Sequence, residues 1–237
     1  MQAEFVNRKE EYVLFREWIY KGSFSGKAAG IFLYSKSGVG KSRFINHVLE
    51  SEFDDFTKIN IEIHSNNSNA IDSLTFYRLL YRALIQKTEP DGKLPILQRF
   101  SIGKTLSISE IVGIELSLSD SRGYDEDTLK MVNYIHKKLR LGKGKYIIVF
   151  QNFHLVDSES LELLRDVFEA DSKNRFVFEY TVSNSTSIME MARLHDYISN
   201  FLDCDVFELK SLKIADVQIL CECSKIPFNA ASQLYVA

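Results

Sequence analysis

Polar and apolar positions along the chain change period several times, and each change marks an element. Over residues 9–21, Leu14, Phe15, Trp18 and Ile19 recur at helical spacing, which predicts an amphipathic helix with all four on its inner face. "GIFLY", 30–34, is a short unbroken apolar run, the pattern of a strand covered on both faces. "SRFINHVLESEF" returns to helical spacing with Phe44, Ile45, Val48 and Leu49 inward, and "KINIEI", 58–63, alternates as a strand does. A long helix is predicted over 70–87, carried by Ile71, Leu74, Tyr77, Tyr81, Leu84 and Ile85, and it ends in the turn-rich "EPDGKLP". The alternation of Leu106 with Ile108, and of Ile114, Leu116 and Leu118, predicts a β-hairpin insertion at 101–121. A helix follows at 125–140, then the second strongly apolar strand "YIIVF", 146–150, a helix at 158–169, and a strand at 175–182. The pattern closes with a helix at 186–200, a short strand at 205–209 and the start of a helix near 213.

Strands alternating with helices build parallel β-α units. The expected fold class is α/β, a three-layer α/β/α domain with a mostly parallel sheet and the strands "IFLY" and "YIIVF" at its centre. The expected division is a core over 1–210, hairpin included, and the first part of a helical lid over 211–237.

Composition narrows the classes without naming one. The chain is 45% hydrophobic and 26% charged, ordinary for a globular domain, and its net charge of −3 provides no global attraction to nucleic acid. There is no apolar run of membrane-spanning length, and "MQAEFVNRKEEY" lacks the apolar core of a secretory signal. Cys204, Cys221 and Cys223 are too few and too clustered for a disulfide framework, so a reducing, cytoplasmic setting is expected.

The chemistry concentrates in "YSKSGVGKS", 34–42, which lies between a buried strand and a helix. It carries the Gly-Lys-Ser end of a phosphate-binding loop, with Ser35 where the pattern has its first glycine. In that context the backbone N–H groups of Gly38, Val39, Gly40, Lys41 and Ser42 can converge on a phosphate at a helix N-terminus, with Ser37 and Arg43 at the edges of the cradle. Lys41 suits the β- and γ-phosphates, and the Ser42 hydroxyl suits Mg²⁺. Ser35 stands at the loop mouth, where a small side chain is tolerated. The sequence has no Asn-Lys-x-Asp guanine-reading motif, so ATP with Mg²⁺ is the expected ligand.

An ATPase of this construction needs an acid after a second buried strand to organise Mg²⁺, and another to polarise the attacking water. After "YIIVF" come Gln151 and Asn152, both amides. Asp157 is the nearest acid downstream, and Glu62, Glu159 and Glu179 are further candidates for a substitute. Asp157 also stands where a helix cap is expected, ahead of "SESLELL". Gln151, Asn152 and Asp157 are therefore the candidate catalytic positions, with hydrolysis expected to suffer more than binding.

"QNFHLVDSESLELL", 151–164, resembles the segment D-D-L-H-x-x-D-x-x-S-L-x-L-L of the signal-transduction ATPases with numerous domains (STAND), relatives of the AAA+ proteins. His154, Asp157, Ser160, Leu161, Leu163 and Leu164 match in register, while Gln151 and Asn152 replace the two acids. "FVNRKEEYVLF", 5–15, resembles the family's F-V-G-R-E-x-E-L-x-x-L motif through Phe5, Val6, Arg8 and Glu11. "FELKSLKIADVQIL", 207–220, is similar to its passage into a helical lid. The resemblance implies Val6 and Arg8 beside the adenine, and a five-stranded core whose phosphate-loop strand lies between the strands at 146–150 and 205–209. It also implies nucleotide-dependent homo-oligomerisation and further domains beyond residue 237, in a signalling or antiviral defence protein. Two other readings stand beside it: an active AAA+ ATPase acting on DNA, and a scaffold that binds partners without nucleotide. Thr181, Ser183 and Asn184 are candidate γ-phosphate sensors, and Arg193 is either a residue acting on a neighbouring subunit or a solvated helix charge.

Overall fold

A computed structural model describes residues 8–22, 26–62, 74–88, 126–142, 144–169 and 173–224. The hairpin expected at 101–121, together with Val6, Ile71 and the start of the helix expected at 70, lies outside the described residues. The elements, in chain order, are α1 (Lys9–Lys21), β1 (Ala29–Ser35), α2 (Lys41–Ser51), β2 (Thr57–Glu62), α3 (Thr75–Thr88) and α4 (Glu126–His136). They continue with β3 (Tyr146–Gln151), α5 (Ser158–Phe168), β4 (Arg175–Thr181), α6 (Ser185–Ser199), β5 (Asp203–Glu208) and α7 (Ile214–Ser224). The helix expected to run evenly over 125–140 instead widens into a π-helical stretch at Lys137–Leu141, after α4.

The strands form one parallel five-stranded sheet in the order β2-β3-β4-β1-β5. This corrects one expectation. β1 lies between β4 and β5, and β4 separates it from β3. Parallel neighbours are joined by long crossovers, so hydrophobicity alone does not say which buried strand sits next to which.

Successive residues of each strand feed opposite faces. Phe32, Ile59, Ile61, Ile148, Phe150, Phe176 and Phe178 pack with α3, α4, α5 and α6. Ile31, Leu33, Ile147, Val149 and Val177 pack with α1 and α2. Helices on both faces make the three layers. On α1, Phe15, Trp18 and Ile19 are buried as expected, but Leu14 is 57% exposed. The buried stripe is the i, i+3, i+4 set, and Leu14 lies at its flank.

Two polar side chains tie helices to the frame. Asp157 caps α5, accepting from Ser160 N at 2.7 Å, and its carboxylate also accepts from Leu74 N at 2.9 Å at the start of α3. Ser160, fully buried, accepts from Tyr77 N at 3.1 Å. Asp157→Ala should therefore cost about 2 kcal/mol, the sum of a lost cap and an orphaned backbone donor. Asp157→Asn should recover about half of that loss, because an amide oxygen still accepts. Urea denaturation of the two variants checks both figures.

Candidate functional site

The phosphate loop folds as its residues require. β1 ends at Ser35, and Lys36, Ser37, Gly38 and Gly40 are exposed before α2 begins at Lys41. Gly38 and Gly40 have φ of 79° and 95°, in the left-handed region where a side chain costs energy. Apart from the adjoining residues, no atom lies within 4 Å of where a Cβ would stand on either glycine, so the backbone there borders open space. Gly40 is the N-cap of α2 and provides no side-chain cap. The first N–H groups of that helix thus face the loop with the positive end of the helix dipole behind them.

Lys41 folds back under the loop. It is 5% exposed, and its Nζ donates to Lys36 O at 3.2 Å and to Ser35 O at 3.4 Å. Burial lowers its pKa, an effect partly offset by the charge of Glu179. Ser35 Oγ donates to Lys36 O at 3.0 Å, so the residue that departs from the usual pattern helps shape the loop mouth. Arg43 is exposed on α2. Arg8 is buried ahead of α1, where it pairs with Glu11 at 3.0 Å and reaches Val39 O at 3.4 Å. The residue that opens α1 is thereby fastened to the phosphate loop.

At the end of β3, Gln151 is 4% exposed and stands in register with Glu62 on β2. Asn152 adopts φ 55°, ψ 40°, opening the short 3₁₀ turn Phe153–Leu155. Asparagine, like aspartate, is among the few side chains that tolerate this backbone, so the conformation suits residue 152 without explaining the amide in place of an acid. Asp157 serves as the cap described above, its carboxylate committed to backbone donors of α3 and α5. His154 meets Tyr180 edge-on with ring centroids 5.7 Å apart, and burial together with the charge of Lys41 lowers its pKa.

A carboxylate does face the loop, but from β4. Ser42 Oγ donates to Glu179 Oε1 at 2.9 Å. Glu179 is 4% exposed, and its Oε2 is buried with no hydrogen-bond partner. Burial raises its pKa, against the lowering effects of Ser42 and Lys41. The folded state therefore holds a proton on Glu179 more readily than the unfolded chain does. Any stability linked to it is present at low pH and is lost as pH rises through the folded-state pKa. In sequence, Glu179 is one of several nearby glutamates. Its position becomes legible only once β4 is known to lie beside β1.

Of the candidate sensors, Thr181 is level with Ser35 across the β1–β4 pair. Asn184 caps α6 in a reciprocal pair with Ser187, and Ser183 N donates to Ser187 Oγ at 2.8 Å. Arg193 is exposed on α6. Among the described residues no helix is long and apolar enough to cross a membrane.

With this geometry in view, solved structures provide the comparison. The ORC1 protein of Aeropyrum pernix in complex with DNA superposes with a TM-score of 0.55 at 15% identity, covering 94% of this chain and 50% of that one. The likeness is one of fold: an AAA+-like parallel α/β sheet with a phosphate loop after its first strand. The ORC2 protein of the same organism, described as ADPNP-ADP complexes, has a TM-score of 0.53 at 12% identity, covering 91% of this chain and 52% of the other. A Walker-type ATPase of Pyrococcus abyssi has a TM-score of 0.52 at 15% identity, with 96% and 62% covered. The chain thus spans between half and two-thirds of the length of these proteins. No family model and no curated protein matches the sequence.

Proposed function

We propose that this chain is the ATP-binding switch domain of a STAND or AAA+-like signalling or defence protein, in which nucleotide is held and only slowly hydrolysed. The observation that carries the reading is the phosphate loop. Two glycines in left-handed backbone leave its amides open at the N-terminus of α2, with the buried Lys41 beneath them. Arg8, fastened to Val39 at the phosphate loop, supports the adenine-side role that the resemblance implies for it.

Binding and hydrolysis separate on physical grounds. Affinity for a triphosphate rests on loop amides, a helix N-terminus and a lysine, all present. Turnover rests on groups that act on the attacking water, and β3 ends in Gln151 and is followed by Asn152. The expected outcome is ATP binding detectable by calorimetry in Mg²⁺, with phosphate release slower than about 1 s⁻¹, the lower end of ordinary enzyme turnover. Release at or above that rate would remove the slow-switch reading. No ATP binding at all would leave the partner-binding scaffold.

The second reading, an AAA+ ATPase acting on DNA, draws support from the likeness to the ORC1 protein solved with DNA. The net charge of −3 weighs against it. DNA affinity that falls steeply with salt would favour this second reading. Assembly into homo-oligomers on ATP addition, followed by light scattering, would favour the first.

A further inference from the structure

The resemblance places a magnesium-organising acid at position 151, where this chain has glutamine. The row of residues at that level of the sheet shows where the charge has gone. Gln151 pairs with Glu62 on β2, and one residue beyond the paired Phe150 and Phe178 it comes beside Glu179 on β4. Glu179 is in turn level with Leu33 on β1. By strand alternation Glu62, Gln151 and Glu179 lie on the face that packs against α2, and the Ser42–Glu179 hydrogen bond of 2.9 Å shows this directly for Glu179.

Two features of Glu179 point to a ligand. Its Oε1 already accepts from Ser42, the hydroxyl that in a phosphate loop of this kind turns to the metal. Its Oε2 is buried without a hydrogen-bond partner in a side chain only 4% exposed. A buried carboxylate oxygen left unmatched is costly unless a cation or donor completes it. Carboxylate and hydroxyl oxygens suit a hard cation such as Mg²⁺. The neutral amide at 151 fits the same arrangement. Neighbouring strands are about 4.8 Å apart, and carboxylates side by side at that spacing disfavour each other's ionised form.

We infer that Glu179 supplies the carboxylate of a divalent-cation site shared with Ser42, transferring to β4 a role that the resemblance assigns to β3. The site takes Mg²⁺ together with the phosphates of the bound nucleotide, so the inference rests on the nucleotide-binding reading above. It also separates two functions. The cation's carboxylate is retained, while position 152 remains an amide and provides no base for the attacking water. Tight magnesium-dependent binding with little turnover follows.

The test is calorimetric titration of the 237-residue chain with ATP, in Mg²⁺ and in EDTA, with Mn²⁺ resonance spectra of the complex as a second readout. In the wild type Mg²⁺ should tighten ATP binding by at least ~10-fold, the contribution of one charged ligand. Glu179→Gln should reduce that tightening to less than about threefold and alter the Mn²⁺ spectrum, while affinity in EDTA falls no lower than that of the wild type, which also reports that the loop is folded. In the double variant Gln151→Asp with Glu179→Gln, returning the charge to β3 should restore most of the tightening. Full magnesium dependence in Glu179→Gln, or a wild type indifferent to Mg²⁺, overturns the inference and leaves nucleotide binding standing. A wild type that binds no ATP in either condition overturns both.

Discussion

Lys41→Ala is expected to weaken ATP binding by at least about 100-fold, equivalent to about 3 kcal/mol, the upper range for hydrogen bonds to charged groups. The reason lies in where the ammonium sits. Lys41 is 5% exposed and is held under the loop by the carbonyl oxygens of Ser35 and Lys36. Its charge is screened little by water, as the burial-lowered pKa reflects. A triphosphate above the loop would meet an ammonium already positioned and partly desolvated, so little ordering remains to be done on binding. Lys41→Arg should rescue poorly, since a planar guanidinium does not reproduce a point charge in this space.

The same substitution should leave the fold in place. A lysine whose pKa is lowered by burial carries its charge at some cost to the folded state, and removing that charge offsets part of the packing lost with its methylenes. The thermal midpoint should move by no more than a few degrees, about the effect of 1 kcal/mol in a domain of this size. Calorimetry with ATP, paired with circular dichroism, measures both quantities. An affinity within threefold of the wild type would mean that the loop is not the nucleotide site.

Phe178→Ala should be the most destabilising of the single substitutions considered, costing about 3–5 kcal/mol. Phe178 is fully buried on β4, the middle strand of the sheet. Its ring packs against Phe153 at 4.7 Å, Phe32 at 4.9 Å, Phe168 at 5.5 Å and Phe150 at 5.6 Å between centroids. These partners come from β1, β3, the turn after β3 and α5, so truncation opens a hole that no single element can close by moving. Domains of ordinary size are stable by about 5–15 kcal/mol, so the loss is a large share of the total. Phe178→Leu, which keeps most of the volume, should cost less than half as much. Urea unfolding should show a lowered midpoint with an unchanged slope for both variants, and a thermal shift of roughly 10 °C for the alanine variant.

Local periodicity made much of this molecule legible before any tertiary information. The apolar runs "GIFLY" and "YIIVF" are β1 and β3, and the inward faces expected for α1 and α2 are buried except for Leu14. Asp157 is legible as a cap because its residue type and its place before "SESLELL" are local signals. The phosphate loop is also local: spacing, glycines, the preceding strand and the following helix all lie within residues 30–51.

What pattern could not determine is lateral. Strand order depends on which crossovers pack side by side, and buried strands are alike in composition; the resemblance implies β1 beside β3, and β4 lies between them. The same ordering decides the site. A search along the sequence for an acid following β3 ends at Gln151 and Asn152, because chain order puts them where the acids belong. Only the register of β1 and β3 with β4 sets Glu179 level with both and within 2.9 Å of Ser42. The amino-acid sequence by itself determined the periods, the caps and the phosphate loop, since these follow from forces acting between residues a few positions apart. The tertiary structure alone decided which carboxylate meets the loop, since that contact joins residues 137 positions apart and exists only once the sheet has assembled.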